Sequence, residues 1–197
     1  MGRKLNLIQV QKTLEEKNQN IFTPFDFSRI FATSAISAHK FLERYTKKGV
    51  FQRAKKGLYI FKFDPAKEIV FANRIYSPSY VSLETAMSYY HLIPESIYPM
   101  TSVTTKSTRE FEAAGRSFEY HKIKKEAFTG YSPISFEGEI GLMATPEKAL
   151  VDYLYFVSLG KKRFNDRLDI RKINLAEAKK FARLYARKGL NKLINDL

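Results

Sequence analysis

Residues 33–61, TSAISAHKFLERYTKKGVFQRAKKGLYIF, change their hydrophobic period once, and that change constrains the fold more than any other feature of the chain. Ala38, Phe41, Leu42 and Tyr45 recur at i, i+3, i+4 and i+7, the spacing of an apolar stripe along one side of a helix. Thr33 or Ser34 offers a hydroxyl to cap its start, and Gly49 offers a residue free to turn left-handed after Lys48. Beyond the glycine the pattern switches. Residues 50–54 and 58–61 carry aromatic and branched side chains on either side of Lys55-Lys56-Gly57, which predicts a hairpin.

The predicted helix has a second stripe. Ser37, Lys40, Arg44, Lys47 and Lys48 gather on a side away from the apolar one, and Ile36 falls nearer to this polar side than to the core. Upstream, Leu5, Ile8, Val10 and Leu14 predict a first helix ending by Lys17, and Thr23-Pro24 opens a short second one through Ile30 and Phe31. Three helices and a basic hairpin, in that order, predict a winged helix-turn-helix over residues 1–63. In such a unit the third helix enters the major groove and the hairpin follows the backbone. The expected DNA contacts are Thr33, Ser34, Ser37, Lys40, Arg44, Lys47 and Lys48 on the helix, with Arg53, Lys55 and Lys56 on the wing adding phosphate contacts.

Charge agrees with a polyanionic partner. The net charge of +14 is unevenly spread: 15 Lys+Arg against 6 Asp+Glu over residues 1–75, 7 against 10 over 76–159, and 12 against 4 over 160–197. Clustered cations gain from releasing the counterions of phosphates in a way that a neutral small substrate cannot offer. No long apolar run suits a membrane span, and MGRKLNLIQVQKTLEEK lacks the features of a secretory signal, so a cytoplasmic protein without membrane association is expected.

Residues 64–197 predict a mixed α/β domain, giving an α+β chain overall. Asp64-Pro65 is expected to cap a helix ending near Ser77-Pro78, and residues 82–92 a short helix stopped by Pro94. Residues 100–105, 116–123 and 139–143 predict strands. Thr145-Pro146-Glu147 starts a further helix, and Asn174 with Glu177 forms a capping-box-like start to the last one. Residues 160–197 form a basic helical part in which Lys179, Lys180, Arg183 and Arg187 are expected to share one face, a second surface for DNA or for a protein partner.

Enzymatic signatures are missing from the sequence. It has no Gly-x-Ser-x-Gly, no phosphate loop and no dinucleotide fingerprint, and Gly160-Lys161-Lys162 lacks the flanking glycine and hydroxyl that cradle phosphate. The Glu137 and Glu139 pair reads as solvent-facing, and Asp152 as a residue that caps or pairs locally. With no cysteine and with His39, His91 and His121 scattered, neither a metal nor another cofactor is expected. A nuclease carrying a winged-helix targeting domain and a protein-docking adaptor are the two alternatives.

The stretches KKGLYIF, SPSYVSLETAMSYYHLIPESIYPMTSVTTK and IGLMATPEKALVDYLYF resemble the corresponding parts of AbiEi-type antitoxins of type IV toxin–antitoxin systems. The resemblance covers roughly residues 5 to 160. It implies an N-terminal winged helix that binds inverted repeats upstream of its own operon and represses it. It also implies a C-terminal domain that counteracts a nucleotidyltransferase-like toxin, directly or indirectly.

Overall fold

The computed structural model describes residues 5–95, 97–136 and 138–197, so Glu137 of the carboxylate pair lies outside the described residues. The chain divides into two units, one of residues up to 65 with 111–115, the other of residues 66–110 with 116–197.

The first unit runs α1 (Leu7–Glu16), β1 (Ile21–Phe22), α2 (Pro24–Ile30), α3 (Ala35–Lys47), β2 (Gln52–Lys55) and β3 (Leu58–Ile60). Each helix is closed by chemistry written beside it. Asn6 caps α1; Thr23 and Asp26 form a reciprocal capping box at α2, with Pro24 in the first turn. Ser34 caps α3 by accepting from the Ser37 amide at 3.2 Å. The strands form an antiparallel sheet in the order β1-β3-β2, with Ile21 opposite Ile60 and Arg53 opposite Tyr59. The two-residue strand β1 escapes a periodicity argument, because it is too short to alternate.

An aromatic core joins these elements. Val10, Leu14, Phe22, Phe27, Ala38, Phe41, Leu42, Phe51 and Tyr59 are buried together. The Phe27 and Phe41 ring centres lie 5.5 Å apart and Phe22 meets Phe51 edge-on at 5.9 Å, within the range where aromatic pairs add to simple area burial. The stripe predicted for α3 is the stripe that is buried: Ala38, Phe41 and Leu42 are in the core and Tyr45 is half-buried.

The second unit holds α4 (Glu68–Ile75), β4 (Ser79–Val81), α5 (Leu83–Tyr89), β5 (Met100–Thr104), the first two residues of β6 (Arg109–Ala113), whose residues 111–113 fall in the first unit, then β7 (Arg116–Lys122), β8 (Tyr131–Phe136), β9 (Glu139–Ala144), α6 (Pro146–Ser158), α7 (Leu175–Leu184) and α8 (Lys188–Asn195). The six-stranded mixed sheet has the order β6-β7-β5-β4-β9-β8. Strands β5 and β7 are parallel, as are β4 and β9, whereas β4–β5 and β8–β9 are antiparallel. Helix α4 presses closely on β9: a Cβ added at Gly141 would stand 2.7 Å from the Ile69 side chain. Asn73 completes the contact, accepting from the Leu142 amide at 2.6 Å and donating to the Leu142 carbonyl at 3.3 Å.

Several local expectations differ from what is observed. The helix expected after Asp64-Pro65 opens as a 3-10 turn over Pro65–Lys67 that leads into α4, whose cap residue Lys67 makes no side-chain capping bond. Asn174 does cap α7, accepting from the Ala176 and Glu177 amides, but Glu177 does not reach back. The Asn174 amide donates to Glu147 at 3.2 Å, while Glu177 holds Lys180 at 2.8 Å. The last helical stretch is two helices, because the chain turns at Tyr185 and Ala186, the latter at φ 46°.

Candidate nucleic-acid interface

Helix α3 is fixed on its apolar side, and its opposite side is open. At 100° per residue, Ile36, Lys40, Glu43 and Lys47 lie farthest from Ala38, Phe41, Leu42 and Tyr45, and all four are exposed. Arg44, Ser37 and His39 flank that line and are exposed as well.

The cations on this surface are not equivalent. Lys47 sits 3.3 Å from the Glu43 carboxylate one turn back, and the Lys48 ammonium lies 5.6 Å from the Tyr45 ring centre. Lys40 and Arg44 have no such partner among the described residues, and the same holds for Arg53 and Lys56. Lys55 differs from the sequence expectation of an open wing cation: it is half-buried, with its ammonium 5.9 Å from the Phe111 ring centre. Thr33 is half-buried and leaves the capping of α3 to Ser34. Ser37 is held locally, since the Ser34 hydroxyl donates to the Ser37 hydroxyl at 3.0 Å.

The hairpin tip is shaped by backbone geometry. Lys56 and Gly57 form a two-residue turn between β2 and β3, and Gly57 takes φ +77° with open space where a Cβ would stand. Only conformation, not crowding, selects glycine there. The turn carries Lys56 outward and leaves its ammonium uncommitted.

No family model matches the chain, and no curated protein matches it.

The second basic surface is rearranged relative to expectation. Lys179, Lys180 and Arg183 are exposed on α7, but Lys180 is paired with Glu177. Arg187 does not share their helix: it lies beyond the turn at Ala186, and its guanidinium donates to the Ser158 hydroxyl at 2.8 Å and the Ser158 carbonyl at 2.6 Å. Lys179 and Arg183 instead line a cleft with Asn191 and Asn195 of α8.

Asp152 does pair locally, as expected, with Lys148 one turn back, but the buried polar cluster around that pair was not anticipated. Lys148 and Asp152, one turn apart on α6, form an ion pair in which both side chains are fully buried. Asp152 further accepts from Ser82 at 2.7 Å, from Tyr80 at 3.1 Å and from the Tyr185 hydroxyl, and Lys148 donates to Tyr185 at 3.2 Å. Burial pulls the Lys148 ammonium below the ordinary lysine range against the opposing pull of Asp152, and it pushes the Tyr80 phenol well up. The signal was present as a Lys–Asp pair at i, i+4 inside the apolar run ALVDYLYF. With no exposed atom for a ligand to meet, the cluster ties β4, α6 and the turn after α7 together. Among the described residues, no group of three His, Cys, Asp or Glu is placed to hold a metal, and no helix is long and apolar enough to cross a membrane.

One titration in this unit has a measurable consequence. His121 packs 5.3 Å from the Phe156 ring and its Nε2 lies 3.2 Å from Glu119. Burial, then the Lys162 ammonium, lowers its pKa below the ordinary 6.5, with Glu119 and Glu84 opposing. The unfolded chain therefore binds a proton first as pH falls. Stability should decline from about pH 6.5 downward and level off once the folded-state pKa is passed. Urea midpoints measured between pH 7.5 and 5.5 should drop for the native protein and flatten for His121→Gln. Equal slopes in the two proteins would remove His121 from the explanation.

Proposed function

We propose that the first unit is a winged helix-turn-helix and that the protein is a cytoplasmic DNA-binding autorepressor and antitoxin. The observation that carries this reading is the side of α3 opposite the core, where Lys40 and Arg44 are exposed and uncommitted. The element order and the β1-β3-β2 sheet support it, because a helix-turn-helix followed by a small antiparallel wing presents α3 to the major groove and the hairpin tip to the backbone. Lys40 and Arg44 approach base edges and phosphates, while Arg53 and Lys56 grip the backbone alongside. The operator is double-stranded DNA, with inverted repeats expected if two copies bind together.

The antitoxin part rests on the resemblance of residues 5 to 160 to AbiEi-type proteins, with a nucleotidyltransferase-like toxin as the second partner, engaged directly or indirectly. In this reading the second unit is a protein-facing scaffold that neither carries out a reaction nor takes a cofactor.

Fluorescence anisotropy with duplexes from the region upstream of the protein's own gene, against random duplex of equal length, tests the repressor role. Four uncommitted cations imply a slope of log affinity against log salt of about −3 to −4, shrinking by about one for Lys56→Ala. Lys56→Ala should weaken cognate and random duplexes alike. Equal binding of upstream and random DNA would remove the repressor role, and salt-insensitive capture of a protein without any duplex binding would favour a docking adaptor.

A further inference from the structure

We propose that α3 reads a thymine through its C5-methyl group, seated on Ile36, with a guanine taken by Lys40 one or two base pairs away. The inference rests on α3 being the groove-facing helix and adds to that reading the identity of the bases.

Ile36 is 70% exposed, whereas the other large apolar residues of α3 are buried or half-buried in the core of the unit. It is the second residue of the helix, and the N-terminal residues of a recognition helix are the ones that reach base edges. Its neighbours on the same line are Lys40, Glu43 and Lys47, all charged and exposed. A protein-docking face would need apolar companions around Ile36, and α3 supplies none on that side.

The major groove has one apolar group to offer, the thymine methyl. A branched aliphatic side chain against any other base edge strips water from donors or acceptors without replacing their hydrogen bonds. Ile36 therefore selects by attraction to thymine and by the cost of the other bases. Ser37 is less suited to reading, because its hydroxyl is already engaged by the Ser34 cap.

Lys40 follows Ile36 by one turn, a rise of roughly 6 Å, close to two base steps of about 3.4 Å. An uncommitted ammonium at that point is matched by the O6 and N7 acceptors of guanine. Glu43 keeps Lys47 at 3.3 Å, so Lys47 is not the free cation of this line.

The test uses the full chain and the duplex it selects from a random library. Each thymine of the protected half-site is replaced singly by deoxyuridine, which deletes the C5-methyl and leaves every hydrogen-bonding group unchanged. Affinities are measured for the native protein and for Ile36→Ala, whose melting curve should match the native one because the side chain is exposed. At one thymine the native protein should lose about fourfold in affinity, the equivalent of one methyl group removed from an apolar contact, and Ile36→Ala should bind the two duplexes equally. If a duplex is selected but every deoxyuridine penalty is the same in both proteins, the thymine inference is overturned and DNA binding stands. If no duplex is selected, DNA binding fails and the inference falls with it.

Discussion

Asp152→Ala is expected to destabilise the protein by about 3–5 kcal/mol, read as the shift in urea midpoint at pH 7 with the slope unchanged. The substitution leaves the Lys148 ammonium fully buried without its counter-charge and removes the acceptor shared by Ser82, Tyr80 and Tyr185. Most of the loss comes from the stranded charge rather than from the deleted atoms. The double variant Lys148→Met with Asp152→Leu removes both charges and should recover much of the loss, because a buried ion pair replaced by apolar side chains is often close to neutral. Should the double variant prove no more stable than Asp152→Ala, packing and the neutral hydrogen bonds would outweigh the charges.

Reversing Lys40 and Arg44 together to glutamate should abolish selective duplex binding, with a loss on the order of a hundredfold or more. Both side chains are exposed and have no partner among the described residues, so the thermal transition should not move. Two attractive contacts become two repulsive ones at the surface that the proposed complex buries. Native-like affinity in this variant would transfer DNA recognition elsewhere on the chain. Lys47→Glu is a useful contrast: its ammonium is already neutralised by Glu43, and its effect should be smaller.

The α3 stripe was legible because burial and period coincide there: Ala38, Phe41 and Leu42 are spaced as a helix face and packed as one. Caps were legible where a side chain acts on its own turn, as at Thr23, Ser34 and Thr145. The missed strands have physical excuses. Strand β8 carries Pro133 and occupies one edge of the sheet, where a residue without an amide hydrogen is tolerated. Strand β6, Arg-Glu-Phe-Glu-Ala, occupies the other edge, where charge discourages further pairing and obscures alternation. Strand β4 has three residues, all buried, and shows no alternation to detect.

The candidate interface was legible as a set of cations but not as a ranking of them. Which lysine is spoken for depends on neighbours in space: Glu43 for Lys47, the Tyr45 ring for Lys48, Ser158 for Arg187. The helix break at Ala186 separates Arg187 from Lys179 and Arg183, and a continuous-helix reading could not anticipate it.

Tyr185, stacked 4.2 Å from Tyr155 and bonded to the buried Lys148–Asp152 pair, is synthesised after α6 is complete. A nascent polypeptide that has just completed α6 therefore carries an ion pair whose closing hydroxyl has not yet been translated. The carboxyl-terminal helices are thus a keystone rather than an appendage. Removing α7 and α8 would leave α6 with charged groups facing an unfilled socket.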